Sequence, residues 1–102
     1  MLMAEEADIA VRLIADRRGI TTSELLERDQ RPRVVSARRT VFMALKMLDW
    51  SFHDIGRFFG YDHTNVSHHV ARANELETTF ARRVVAYVNA QKDEVDRREL
   101  DG

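Results

Sequence analysis

Asp62, His63, Thr64 and Asn65 form a short polar run with the chemistry to read a base pair. A His ring N–H can donate to guanine, a Thr methyl can pack on the methyl of thymine, and Asn can bond adenine through both amide atoms. Such contacts require these side chains on the first turn of a helix that enters the DNA major groove. The surrounding residues predict that helix. Asp62 is a residue type that caps a helix start, and Gly60 can end the preceding helix in the left-handed conformation. Ser51 and Asp54 fit a capping box at the start of that preceding helix. Ile55, Phe58 and Phe59 recur at helical spacing and are expected to bury one face. The pattern from Ser51 to Val66 therefore predicts a helix-turn-helix, although the same turn also serves ordinary helical packing.

A second group of candidates is basic. Arg28, Arg31 and Arg33 fall in a loop that contains Pro32, and Arg38 and Arg39 begin the helix after it. Basic loops can reach into a narrow minor groove, where the negative potential favours arginine. Lys46, Arg57, Ser67 and His68 are further candidates for phosphate contact. The plainer alternative is a solvated charged loop. The distribution of charge favours DNA: residues 28–72 carry 8 basic and 4 acidic groups, whereas the whole chain has a net charge of −1. Concentrating positive charge around the reading helix gives an electrostatic footprint for a polyanion.

Other chemistries fit poorly. His63, His68 and His69 are separated by 5 and 6 residues, a spacing unsuited to joint metal ligation on one helix, and the chain has no cysteine. Ser67, His63 and Asp62 lack any sign of an oxyanion hole or pocket. No Gly-rich loop leads into Lys and Ser/Thr, so the nucleotide-binding signature is missing. No enzymatic activity, metal or cofactor is expected. No apolar run is long enough to span a bilayer and no signal-peptide pattern opens the chain, so a cytoplasmic, nucleoid-associated protein is the simplest expectation.

The elements that must position these residues are all helical. Ile9, Val11, Leu13 and Ile14 give a stripe that stops at Gly19, and Thr22 or Ser23 starts a short helix ending near Arg28. Pro32 punctuates the following loop. A long, mostly buried helix is expected from Val34 to Leu48, with Trp50 closing the core. After Val66 the second helix of the motif is expected to continue to about Glu77, with Val70, Ala73 and Leu76 inward. Phe80, Val84, Val85, Tyr87 and Val88 then form an apolar stripe on a helix started by Thr78 or Thr79. That stripe either completes the core or, through Phe80, Val84, Tyr87 and Val88, docks a second copy or a transcription-machinery partner. A single domain over residues 4–90 and a charged, frayed tail over 91–102 follow from this pattern.

The segment SFHDIGRFFGYDHTNV resembles the signature of the C-terminal DNA-binding domain of the DnaA replication initiator, roughly S-x-x-x-I-G-x-x-F-G-x-R-D-H-T-T-V. Ser51, Ile55, Gly56, Phe59, Gly60, Asp62, His63, Thr64 and Val66 match it. The likeness extends upstream through RPRVVSARRTVFMAL and the opening helices. It implies an all-α, Trp-repressor-like helix-turn-helix bundle of five to six helices that binds a short double-stranded DNA site. It also implies that Arg31 is the loop arginine that enters the minor groove and that Arg39 contacts phosphate. Three departures stand out: the arginine before Asp-His is missing, Asn65 replaces the second threonine, and the lysine of the long helix is shifted to Lys46. The turn through Gly60, Tyr61 and Asp62 is one residue shorter than the family's. The binding mode is therefore expected to carry over and the preferred DNA sequence is not. A stand-alone transcription regulator is the leading expectation, phage-like gene transfer clusters being one setting the likeness implies. A replication-origin accessory and a protein-interaction module that lost DNA binding stay open. The oligomeric state is open too, with a monomer the simpler expectation.

Overall fold

Caps and turns divide the described residues into six helices. The computed structural model describes residues 1–101 and contains α1 (Met3–Arg18), α2 (Thr22–Leu26), α3 (Pro32–Met47), α4 (Phe52–Phe59), α5 (His63–Ala71) and α6 (Glu75–Asp101). Among the described residues there is no strand, so the domain is an all-α helix-turn-helix bundle. Thr21 caps α2 in a reciprocal box with Glu24, and Thr22 is the first helical residue, as the sequence pattern suggests. Pro32 is the first residue of α3 and not part of the loop. Its missing N–H costs nothing there, because first-turn donors have no intrahelical partner. The end of α3 is closed by Asp49, in the left-handed region at φ 68°, and by Trp50 N–H donating to the Leu45 carbonyl at 3.1 Å.

Two expected boundaries are corrected. Helix α5 stops at Ala71, and Asn74 opens a new helix. The Glu77 N–H donates to Asn74 Oδ1 at 2.8 Å, while the Asn74 N–H donates to Glu77 Oε1 at 2.9 Å. That reciprocal cap outcompetes continuation of α5, and it leaves Leu76 on the outside, 79% exposed. Residues 91–101, expected to fray, continue α6 without a break, and Lys92 pairs with Glu6 of α1 at 3.4 Å. Gly102 of the expected tail lies outside the described residues.

Helix α3 is the hub, packing against α1 and α6 and also against α4 and α5. Its Val34, Ala37, Val41, Phe42, Ala44 and Leu45 are buried against Ala7, Ala10, Val11 and Ile14 of α1 and Ala81, Val84 and Val88 of α6. Alanines on α1 and α3 let the helix backbones approach closely, and the larger residues fill the space between. Val84 and Val88 are fully buried, so they complete this core and cannot form a docking surface. Trp50 closes the core, donating its Nε1–H to Glu6 at 3.4 Å.

Candidate nucleic-acid interface

Helices α4 and α5 are joined by a turn that depends on two glycines. Gly60 ends α4 with φ 77° in the left-handed region, which a residue without Cβ adopts without steric cost. The chain then folds back so that Tyr61 N–H donates to the Gly56 carbonyl at 2.8 Å. Gly56 is where the two helices meet most closely: a Cβ there would lie 2.4 Å from the Tyr61 carbonyl oxygen. The shortened turn thus closes cleanly. At the other end of α4, the Ser51 hydroxyl accepts from Asp54 N–H at 3.0 Å. The reciprocal bond of a capping box is not formed. Ile55 and Phe59 are buried as the spacing implies, but Phe58 is turned outward against the edge of Trp50.

Helix α5 is held by one face. Val66 is buried, and Phe42 of α3 meets the rings of Phe59, Tyr61 and His69 edge-on at 5.1, 6.0 and 5.7 Å. The opposite side of its first turn is open to solvent: Asp62, His63, Thr64 and Asn65 are all exposed, with His68 one turn further on and Ser67 half-buried. Asp62 accepts from Thr64 N–H at 2.8 Å. That backbone hydrogen bond, reinforced by the nearby imidazoles of His63 and His53, holds the Asp62 carboxyl below the usual range. His53 is a member of this cluster that the sequence pattern does not single out. Its ring stacks on His63 with centroids 3.9 Å apart and planes 27° apart. No periodicity links residues on two different helices, and only the folded turn brings them together.

The histidines diverge. His63 faces out, whereas His69 turns toward Phe42 and is half-buried. Among the described residues no three His, Asp or Glu side chains converge as a metal site would require. Burial, then the charges of Arg39 and Arg38, lower the pKa of His69 below its ordinary 6.5. The unfolded chain therefore binds a proton there more readily than the folded one. The stability contributed by neutral His69 is complete above pH 6.5 and is lost as pH falls through the lowered folded-state value. Replacing His69 with Gln should flatten the fall in melting temperature between about pH 6.5 and 5, the histidine window. An unchanged slope would assign that acid sensitivity to other groups. Asp62 acts with the same sign, but its ordinary value of 3.8 places its effect at lower pH.

The basic candidates separate into two kinds. Arg28, in the loop between α2 and α3, reaches the turn, donating to the Gly60 carbonyl at 2.6 Å with its guanidinium 4.7 Å from the centre of the Tyr61 ring. Arg31 is exposed and is held by Asp29 at 2.6 Å and Glu24 at 2.5 Å, and Arg33 donates to the Gly19 carbonyl at 2.9 Å. Lys46 lies over the Phe52 ring at 4.6 Å, and Arg57 stands 3.8 Å from Asp54. All five are exposed. Arg38 is not: it is 2% exposed and donates to the carbonyls of Leu25, Glu27 and Asp29. It secures the end of α2 and the loop, so its assignment to the DNA backbone is corrected. Arg39 is likewise directed inward, its side chain 19% exposed and 3.2 Å from Glu77 Oε2. Glu77 also accepts from Ser36 Oγ at 2.7 Å. Arg39 therefore ties α3 to α6.

Two helices joined by a tight turn, the second presenting a polar first turn outward, form a helix-turn-helix. Residues 8–73 match the family model described as the bacterial dnaA protein helix-turn-helix. The chain belongs to that family. The helix-turn-helix of that family is a DNA-binding unit. No curated protein and no solved structure matches the chain significantly. Among the described residues no helix is long and apolar enough to cross a membrane.

Proposed function

We propose that the domain recognises a short duplex sequence by laying the first turn of α5 in the major groove. Asp62, His63, Thr64 and Asn65 face the base edges, and arginines of the α2–α3 loop lie along the backbone or minor groove. The observation that carries this reading is the two-sidedness of α5: its inner face is locked to Phe42 while its capped first turn is exposed. Arg28 is set on the turn by Tyr61 and Gly60, supplying a guanidinium beside a turn that lacks the arginine of the family signature. Ser67, His68, Lys46 and Arg57 fit phosphate contacts at the rim. Transcription control is the cellular setting we propose for this DNA binding.

The test is binding to a duplex selected from a random pool, compared with unselected duplex. Asn65→Ala should weaken the selected site by about 1–3 kcal/mol and leave unselected duplex nearly unchanged. Arg31→Ala should weaken both alike and reduce the slope of log affinity against log salt by about 0.9, the share of one phosphate contact. Equal losses on both duplexes for Asn65→Ala would remove α5 as the reader. Occupancy of promoters in cells would support the regulatory setting, and occupancy confined to origins would overturn it.

A further inference from the structure

We propose that the groove between α1 and α6 docks an acidic, apolar-anchored helical segment of a second protein. Three adjoining hollows make up this groove. Leu13 and Tyr87 line both the first and the second, and Arg17, Phe80 and Arg83 line both the second and the third. Between Leu76 and Gln91 the channel follows α6 for about 22 Å at roughly 1.5 Å per residue, the length of a helical peptide of about four turns. Its floor is apolar: Leu13 and Phe80 are half-buried, while Tyr87 remains 48% exposed. Leu76 stands out at the far end.

The rim selects the occupant. Arg17, Arg18 and Arg83 border the second and third hollows, and no acidic residue lines either one. Arg17 and Arg83 are exposed, and Arg18 lies 5.8 Å from the centre of the Phe80 ring. The first hollow adds Arg12 and a single acid, Asp16, with Arg12 paired to Asp8 at 3.2 Å. A cationic rim over an apolar floor, in a chain of net charge −1, complements a helix with apolar anchors on one face and carboxylates beside them. Arginine and tyrosine are also residue types that dominate binding energy at protein interfaces. Duplex DNA would use the arginines but has no use for the floor. The groove belongs to α1 and α6, whereas α5 packs on α3 and α4. A partner seated there leaves the reading turn exposed, and the proposal stands independently of the DNA reading.

The probe is a synthetic amphipathic peptide of about 15 residues, the length set by the channel at roughly 1.5 Å per residue. Leucine and phenylalanine form one face and glutamate the other. The full chain should bind it saturably, with amide NMR shifts confined to α1 and α6. The same peptide with lysine in place of glutamate should bind at least about tenfold more weakly, because like charges then face each other across the rim. The double variant Arg17→Glu, Arg83→Glu should lose the acidic peptide by a similar factor while keeping its melting temperature and DNA affinity. Equal binding of both peptides would reduce the groove to a non-selective apolar surface and overturn the proposal. So would absence of binding, shifts lying elsewhere, competition by short duplex DNA for the same residues, or sedimentation showing the groove already covered by a second copy.

Discussion

Gly56→Ala should lower the melting temperature by on the order of 10 °C and abolish site-specific DNA binding. Two effects of opposite sign compete at this position. Alanine is favoured over glycine inside a helix by about 1 kcal/mol. Against that, the new Cβ would lie 2.4 Å from the Tyr61 carbonyl oxygen and 3.4 Å from the His63 nitrogen. Both are backbone atoms, with no flexible side chain that can swing away. Relief requires α4 and α5 to separate, which breaks the bond from Tyr61 N–H to the Gly56 carbonyl. Overpacking typically costs about 1–3 kcal/mol; two unyielding backbone contacts put this site at the top of that range, so after the helix gain a net loss of about 2 kcal/mol is expected. At roughly 4–8 °C per kcal/mol for a domain of this size, that gives the stated shift. Gly60→Ala is the control. Nothing lies within 4 Å of a Cβ at that site, so only its φ of 77° opposes the change, at about 1–2 kcal/mol. A Gly56→Ala variant milder than Gly60→Ala would contradict the close approach.

Arg38→Met should destabilise the domain by about 3 kcal/mol in urea unfolding. Methionine replaces the aliphatic stem but leaves the carbonyls of Leu25, Glu27 and Asp29 without their donor. Each orphaned buried acceptor costs about 1–3 kcal/mol. The outer two lie near the surface and can recover water, so the sum falls well short of three full penalties. Arg38→Lys should not restore stability, because a single ammonium cannot reproduce a planar fork directed at three acceptors. With the loop loosened, Arg28 and Arg31 lose their placement, and affinity for all duplexes should fall together. Full stability in Arg38→Lys would show that charge, and not the fork, matters at this position.

The contrast between Arg38 and Arg28 shows what could be read in advance. Helix-turn-helix spacing, the caps at Ser51 and Asp62, and the stop at Gly60 are local features, and local features are legible because their physics lies within a few residues. Arginines in one basic run look alike in the sequence. Their fates are decided by acceptors far along the chain: α2 carbonyls for Arg38, Glu77 for Arg39 and the turn itself for Arg28. The same limit applies to His53 and His63, which meet only after the turn has closed. The break between α5 and α6 is different. Asn74 and Glu77 form a cap that the sequence does contain, but the apolar residues Val70, Ala73 and Leu76 suggest a continuous helix and mask it. At Val84 and Val88 periodicity alone cannot distinguish a core from a docking face, and contact with α3 decides for the core.

The tip of α5 is attached to the scaffold but adds nothing to its buried core. Val66 and His69 anchor the helix from behind, while the side chains of His63, Thr64 and Asn65 make no contribution to the buried core. On the proposed reading, substitution at Thr64 or Asn65 is nearly neutral for folding, so a change of DNA target needs no compensating mutation in the frame. The departure at Asn65 falls on such a replaceable position, whereas matched residues such as Ile55, Gly56 and Val66 lie where the frame itself would fail. Divergence of target and persistence of shape are two outcomes of that single division of labour.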